Sequence, residues 1–147
     1  RYNTHPLLRQ YAAEQLELST AATETFAAHS RHYLGLLATC SGAWLDDPAV
    51  TAQIAEDFEN IRAACVWAVD HAVFSAFDGA LDTLYAFCMR RSRYVDLISL
   101  LDRILEGAQK NDRENFELIQ RARDYRSRTL NLMGEVDDLH WVGTVGL

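Results

Sequence analysis

The chain has 147 residues, of which 49% are hydrophobic and 10% aromatic, and this composition excludes a disordered protein. Its 14 Lys and Arg stand against 21 Asp and Glu, a net charge of −7, which argues against nucleic acid as a partner because an acidic surface repels phosphates. There is no apolar run of the ~20 residues that a membrane span needs and no signal peptide, so we expect a cytoplasmic protein without a membrane partner.

The three cysteines are odd in number, far apart in sequence and embedded in apolar helical patterns: Cys40, Cys65 and Cys88. This pattern predicts buried small hydrophobic side chains in a reducing compartment. No Cys-x-x-Cys occurs, so the sequence offers neither a zinc ribbon nor a redox pair.

Only residues 1–4 of the chain could form a strand, and helical spacing begins directly after them. Pro6 suits the first turn of a helix, with Thr4 or His5 near its N-cap, and this helix is predicted to end near Leu18.

A second helix is predicted from Ser19 to about residues 41–42, and the run Asp46-Asp47-Pro48 predicts the start of a third. The third helix is predicted to be a single long one. Its apolar face is spaced by steps of four and three and contains Ile54, Phe58, Ile61, Cys65 and Ala68.

Three more helices are predicted over residues 75–88, 94–108 and 113–133, the first of them beginning at Ser75 or Asp78. The basic run of residues 90–93 is typical of a helix C-terminus. Gly134 is predicted to break the sixth helix, and a seventh is predicted over residues 135–142.

Paired helices of this length with short turns predict an all-α fold in which antiparallel helical hairpins form a tetratricopeptide-like α-solenoid. A weak internal sequence repeat supports this prediction. Ser92–Leu97 and Gly134–Leu139 are similar in sequence, both are expected at turns between helices, and they are 42 positions apart. A packed helical bundle is the alternative.

Three blocks of sequence occur in a characteristic order. The first is His5 followed by Leu-Leu-Arg-Gln-Tyr-Ala-Ala-Glu-Gln-Leu at residues 7–16, the second is His-Ser-Arg-His-Tyr-Leu at 29–34, and the third is Asp-Phe-Glu-Asn-Ile-Arg-Ala-Ala-Cys-Val-Trp-Ala at 57–68. Together they resemble bacterial signal-transduction ATPases with numerous domains, the STAND class of transcriptional regulators. The resemblance implies that residues 1–18 are the tail of a winged-helix domain and that residues 19–147 are a helical-repeat domain.

The resemblance also implies a parent protein that is a P-loop ATPase switched by ATP and ADP. In that family the His at the position of His5 contacts the nucleotide phosphates and holds the inactive state, although Pro6 stands here where the family often has an acidic residue. A helix-capping role is the alternative for His5. This chain has no Gly-x-x-x-x-Gly-Lys-Ser/Thr, so we expect it to be non-catalytic and to bind no cofactor by itself.

A competing interpretation is a small helical-bundle enzyme or metal-binding protein that uses His29 and His32, which are three residues apart on one helix. The Glu-x-x-His pairs of carboxylate metal bundles do not occur, so a structural or surface role is expected for both histidines. Asn60 is expected to bond a neighbouring helix or turn and Arg62 to point to solvent. The acidic pairs 46–47 and 137–138 are expected to cap helices.

Four arginines of the sixth helix are expected to form surface ion pairs: Arg121, Arg123, Arg126 and Arg128. The tryptophans are expected in the core: Trp44, Trp67 and Trp141. Leu139, Trp141 and Val142 would be bare at the end of an unfinished repeat array, which would permit a homodimer.

The sequence therefore predicts a non-catalytic sensor and interaction module. An effector, either a protein or a small molecule, is expected in the concave groove of the repeats and would bias the nucleotide-dependent states of the ATPase core of the same chain. A plain scaffold without a ligand is a third option.

Overall fold

The structure is a computed structural model that describes residues 5–17, 21–40, 44, 46–111 and 113–145, with the backbone alone described for 16–17, 113 and 135–145. All regular elements in these ranges are helical, which confirms the all-α prediction. The seven α-helices that the structure describes are α1 (Pro6–Glu17), α2 (Ala22–Thr39), α3 (Pro48–Glu56), α4 (Phe58–Asp70), α5 (Ala80–Arg90), α6 (Tyr94–Lys110) and α7 (Phe116–Val145). Short 3-10 turns lie at Phe74–Phe77 and Arg113–Asn115. None of the helices in the described ranges combines the length and apolar content that a membrane crossing needs.

The predicted helix starts are confirmed where the sequence offers a cap. Pro6 is the first residue of α1, and Pro48 is the first residue of α3. The Asp47 carboxylate caps α3 by accepting a 2.9 Å hydrogen bond from the Ala49 N–H. Residues 1–4, where a strand remnant was expected, lie outside the described part of the chain.

The prediction of a single third helix is wrong, because the regular helix is interrupted at Asp57 between α3 and α4. Asp57 has φ −92° and ψ 7°, yet its N–H still donates to the Gln53 carbonyl at 3.0 Å and its carbonyl still accepts from the Ile61 N–H at 2.9 Å. Hydrogen bonds of helical spacing thus continue on both sides of the interruption. The apolar spacing also continues across it from Ile54 to Phe58, so the sequence pattern carries no sign of the interruption.

The predicted break at Gly134 is also wrong, since α7 runs through it to Val145. A glycine in a helix costs about 1 kcal/mol relative to alanine, but it keeps its N–H and allows helical dihedral angles. That cost is small enough for a helix that packs along α6 to absorb.

The helices α4 and α5 end in the same way. Each is followed by a residue in the left-handed region, Ala72 and Ser92, both with φ 55°. The next N–H then reaches back over the helix end, from Val73 to the Ala68 carbonyl and from Arg93 to the Cys88 carbonyl, both at 2.8 Å. These are Schellman ends without the usual glycine.

The core lies where α2 packs on α4 and α5, and where α6 packs on α4, α5 and α7. Its largest fully buried side chains include Phe58, Phe77, Phe87, Leu84, Leu101 and Ile104. Cys65 and Cys88 are buried free thiols and Cys40 is half-buried, as the sequence predicted for the first two. By contrast, every side chain of residues 5–15 is exposed, so this described part of α1 adds nothing to the core.

Candidate functional site

His5 lies directly before α1 and acts as its cap. Its Nδ1 accepts a 3.2 Å hydrogen bond from the Leu7 N–H, and its carbonyl accepts from the Arg9 N–H at 3.0 Å. When Nδ1 is the acceptor in a neutral imidazole, the proton sits on Nε2. His5 is exposed, and no described residue bonds to its Nε2, so this N–H donor faces outward.

His29 and His32 both contact the same tyrosine of α2. Their ring centroids lie 4.8 Å and 4.9 Å from that of Tyr33. Neither of them belongs to a metal-binding cluster, because the described side chains contain no group of three or more His, Cys, Asp or Glu that could hold a metal ion.

A groove of about 380 Å³ lies between α2 and α4, and we call it the α2–α4 groove. Its lining residues are Phe26, His29, Ala63, Val66, Trp67 and Asp70. The surface is mainly apolar, with one imidazole and one carboxylate. His29 therefore lines a cavity, but His32, with which its spacing suggested a metal site, is not among the lining residues.

Trp67, which was expected in the core, is half-buried and forms part of the wall of this groove. Its indole stacks on the His71 ring with a centroid distance of 4.0 Å and an angle of 13°. His71 is itself held by the contact of its Nδ1 with the Trp67 carbonyl at 2.9 Å. The stack fixes the indole ring at the groove.

Asp70 is the last residue of α4, and its side chain is 53% exposed. The nearest cation, the Arg103 Nε, is 4.0 Å from its Oδ1, which is too long for a hydrogen bond. The carboxylate therefore keeps its capacity to accept hydrogen bonds from a ligand.

Arg62 does not point freely to solvent, which corrects the prediction. Its guanidinium pairs with Asp96 of α6, and Arg93 pairs with the same carboxylate at 3.3 Å. Both cations lie over the Phe58 ring, at 5.5 Å and 4.2 Å from its centroid. This arginine cluster joins the start of α6 to α4, and spacing could not reveal it because the acid lies 34 positions from Arg62.

One polar atom in the cluster is left over. The Arg62 Nε is buried and has no hydrogen-bond partner among the described atoms. Asn60, by contrast, is exposed and forms no side-chain hydrogen bond to another described residue, so the expected bond to a neighbouring helix is not made.

The thiols under this cluster are inert. Burial raises the pKa of Cys65 to about 12, with a smaller contribution from Cys88. Burial also raises the pKa of Cys88 to about 12, and the Asp96 carboxylate adds to the increase. A thiol that stays protonated is a poor nucleophile and a poor metal ligand, so Cys65 and Cys88 act as buried apolar side chains.

Ion pairs along the surface of the helix itself were expected for the arginines of α7, but only one of the pairs that the structure describes is of this kind, and two join α7 to other helices. Arg121 donates to Asp82 of α5 at 3.2 Å, and Arg126 donates to Asp102 of α6 at 2.5 Å. Arg128 pairs with Asp124 within α7 at 3.0 Å. Three of the four arginines are therefore engaged in ion pairs.

A second contact with Asp82 comes from Tyr125, whose hydroxyl donates at 2.6 Å. Partial burial and this hydrogen bond raise the pKa of Tyr125 to about 12. The ring also stacks on Tyr85, with centroids 4.0 Å apart. These contacts fasten α7 to α5.

Other cavities in the described part of the chain include two more polar ones. One, of about 570 Å³, lies between the 3-10 turn at Phe74–Phe77 and the start of α7, and it contains the carboxylates of Asp78, Glu114 and Glu117. The other, of about 290 Å³, lies beside Arg90 and Arg91. Both are more polar than the α2–α4 groove.

Trp44 is buried as predicted. The structure does not describe the side chains of residues 137–138, or those of Leu139, Trp141 and Val142, which were expected to be bare.

The sequence analysis missed Phe26, Val66 and Asp70 as residues that line the α2–α4 groove. Ala63, Val66 and Asp70 do recur at helical spacing beside Trp67, but this pattern alone does not indicate a groove.

Comparisons of the chain with protein-family models, with curated proteins and with solved structures give no match.

Proposed function

We propose that this chain is a non-catalytic sensor and protein-interaction module of a STAND-type bacterial ATPase regulator of transcription. In this proposal α2 with α4, and α5 with α6, are successive helical hairpins of a tetratricopeptide-like array, and α7 begins a third. The module binds an effector and shifts the nucleotide-dependent equilibrium of the ATPase core of the same protein.

The observation that carries the proposal is the layered packing of the helices. The first helix of one hairpin packs on the first of the next, α2 on α5, and the second packs on the second, α4 on α6. Layers of this kind are the repeating contact of helical-hairpin arrays. The three sequence blocks that resemble the STAND regulators lie on α1, α2 and α4 of the same arrangement.

Two features of α1 support a preceding domain as its partner. Leu7, Leu8 and Tyr11 are 69%, 61% and 61% exposed, a degree of exposure that is unusual for clustered large apolar side chains. His5 presents its Nε2–H outward beside them, in a form suited to donate a hydrogen bond to a phosphate oxygen. Both fit a winged-helix tail that packs on an ATPase core and reaches its ADP.

The first test is the coding region upstream of Arg1. The proposal expects it to encode a P-loop of the form Gly-x-x-x-x-Gly-Lys-Ser/Thr and then a winged-helix domain. An upstream region that encodes neither would contradict the proposal.

The second test uses the complete product of that gene. Replacing His5→Ala is expected to speed ADP release about tenfold, which corresponds to the loss of about 1.4 kcal/mol from one charge-assisted hydrogen bond. His32→Ala, which removes an exposed histidine of α2, is the matched control and should leave the release rate unchanged. Equal rates for His5→Ala and the unmodified protein would remove the nucleotide contact from the account.

A further inference from the structure

We propose that the α2–α4 groove binds a small organic cation, an ammonium group carried on an apolar body. The ammonium would lie between the Asp70 carboxylate and the Trp67 indole, and the apolar body would lie against Phe26 and Val66. The role of this cation as an effector rests on the proposed sensor function, whereas its binding can be measured on the chain itself.

The size and surface of the groove fit a small ligand. Its volume of about 380 Å³ falls within the ~300–1,000 Å³ that is typical of small-molecule sites. Four of its six lining residues are apolar or aromatic: Phe26, Ala63, Val66 and Trp67. A ligand without an apolar part would leave most of this surface in contact with water.

The charges of the groove select a cation. No Lys or Arg is among the six lining residues, and Asp70 carries the one carboxylate among them, with the Arg103 Nε 4.0 Å from its Oδ1 and so beyond hydrogen-bond distance. Asp70 also closes α4, and the carbonyl end of a helix carries a partial negative charge that favours cations. The carboxylate and the helix end therefore act in the same direction, against an anionic ligand.

The aromatic wall is held in place before any ligand arrives. His71 stacks on the Trp67 ring at 4.0 Å, and the Tyr33 ring lies 4.8 Å from that of His29. An ammonium ion near an indole gains cation–π attraction, and rigid side chains lose little entropy on binding. Trp67 and Asp70 are three positions apart on α4, so they can contact the same ligand group.

The test is calorimetric titration of the 147-residue chain with three probes of the same shape. These are 2-phenylethylammonium, its neutral counterpart 2-phenylethanol and the anion 3-phenylpropionate. We expect the ammonium to bind at least about tenfold more tightly than the alcohol, equivalent to about 1.4 kcal/mol, and we expect no heat from the anion.

Two variants locate the effect. Asp70→Asn should remove the tenfold preference for the ammonium and leave the weak binding of the alcohol unchanged. Trp67→Phe, which keeps an aromatic ring and so preserves the fold, should weaken the ammonium more than the alcohol. Glu117→Gln removes the same charge from the start of α7 at a different cavity and is the matched control; it should change nothing.

Three results would overturn the inference: no binding of the ammonium, equal binding of the ammonium and the alcohol, or an equal loss in Asp70→Asn and Glu117→Gln. The last result would show that the ammonium is attracted by the net negative charge of the chain and not by Asp70 in particular. Failure here is separable from failure of the proposed function. A P-loop upstream with no ammonium binding removes the groove alone, and ammonium binding without a P-loop removes the regulator assignment alone.

Discussion

The helices α1 and α6 both carry leucines at helical spacing, yet they occupy opposite environments. In α6 the side chains of Leu97, Leu101 and Ile104 are completely buried against α4, α5 and α7. In α1 the side chains of Leu7 and Leu8 are more than half exposed. The comparison shows that apolar spacing predicts a helix with a face to bury, whereas the partner of that face need not lie in the same stretch of chain.

The largest expected effect is a difference in the free energy of unfolding when the same substitution, leucine to alanine, is made on each of these two helices. Leu101→Ala removes a fully buried side chain and should lower the free energy of unfolding by about 3–5 kcal/mol, the cost of a core cavity. Leu8→Ala, the same change on α1, should stay within about 0.5 kcal/mol. Urea unfolding followed by circular dichroism measures both, and similar losses would mean that α1 packs on the core.

Two helical glycines, Gly107 and Gly35, extend the comparison to packed and open helix faces, because they differ in the space available for a side chain. A Cβ on Gly107 of α6 would lie 2.6 Å from the Val69 Cγ1, so Gly107→Ala should cost about 1–3 kcal/mol through overpacking. A Cβ on Gly35 of α2 would meet nothing within 4 Å, so Gly35→Ala should stabilise the chain by about 0.5–1 kcal/mol through helix propensity. Thermal unfolding should show opposite shifts in Tm, and shifts of one sign would show that the two glycines share one environment.

The arginine cluster predicts a smaller difference between two aspartates of α6. Asp96→Asn leaves Arg62 and Arg93 without their shared carboxylate and should cost about 1–2 kcal/mol, because these groups are partly buried. Asp102→Asn loses a single, more exposed pair with Arg126 and should cost less than about 0.5 kcal/mol. Equal costs in denaturant unfolding would show that the cluster does not join α6 to α4.

The smallest expected effect is the share of a single thiol in the loss of stability between pH 8 and pH 9.5. The unfolded thiols ionise near pKa 9.0, whereas the folded Cys65 and Cys88 stay protonated up to about 12. The unfolded state thus loses its protons first, and stability falls as the pH rises from 9 to 12, by about 1 kcal/mol for each thiol at pH 9.5.

Cys65→Ala tests this loss, because it should make the fall between pH 8 and 9.5 shallower even if it lowers stability at every pH. An unchanged slope in this variant would place the source of the alkaline loss elsewhere.

The sequence predicted those parts of the fold that local chemistry decides. The start of α1 at Pro6, the start of α3 at Pro48 and the burial of Cys65 follow from caps and spacing. The interruption at Asp57 escaped prediction because the apolar spacing continues across it, and the passage of α7 through Gly134 escaped prediction because it depends on the packing of α7 along α6.

The candidate site was harder to predict for the same reason. Trp67 and His29 were visible as residues, but the groove between them exists only because α2 packs on α4. Likewise, the predicted orientation of Arg62 was wrong because its partner, Asp96, belongs to α6, the second α-helix after α4. Side chains that act across helices leave no trace in the spacing of either one.

The most direct test of the account is hydrogen exchange of the α1 amides, measured on this chain and on the complete product of its gene. The account predicts rapid exchange over residues 9–17 in the 147-residue chain, together with slow exchange of α6 in both proteins. It also predicts strong protection of residues 9–17 in the complete product, where the preceding domain would cover Leu7, Leu8 and Tyr11. Equally rapid exchange of α1 in both proteins would contradict the account.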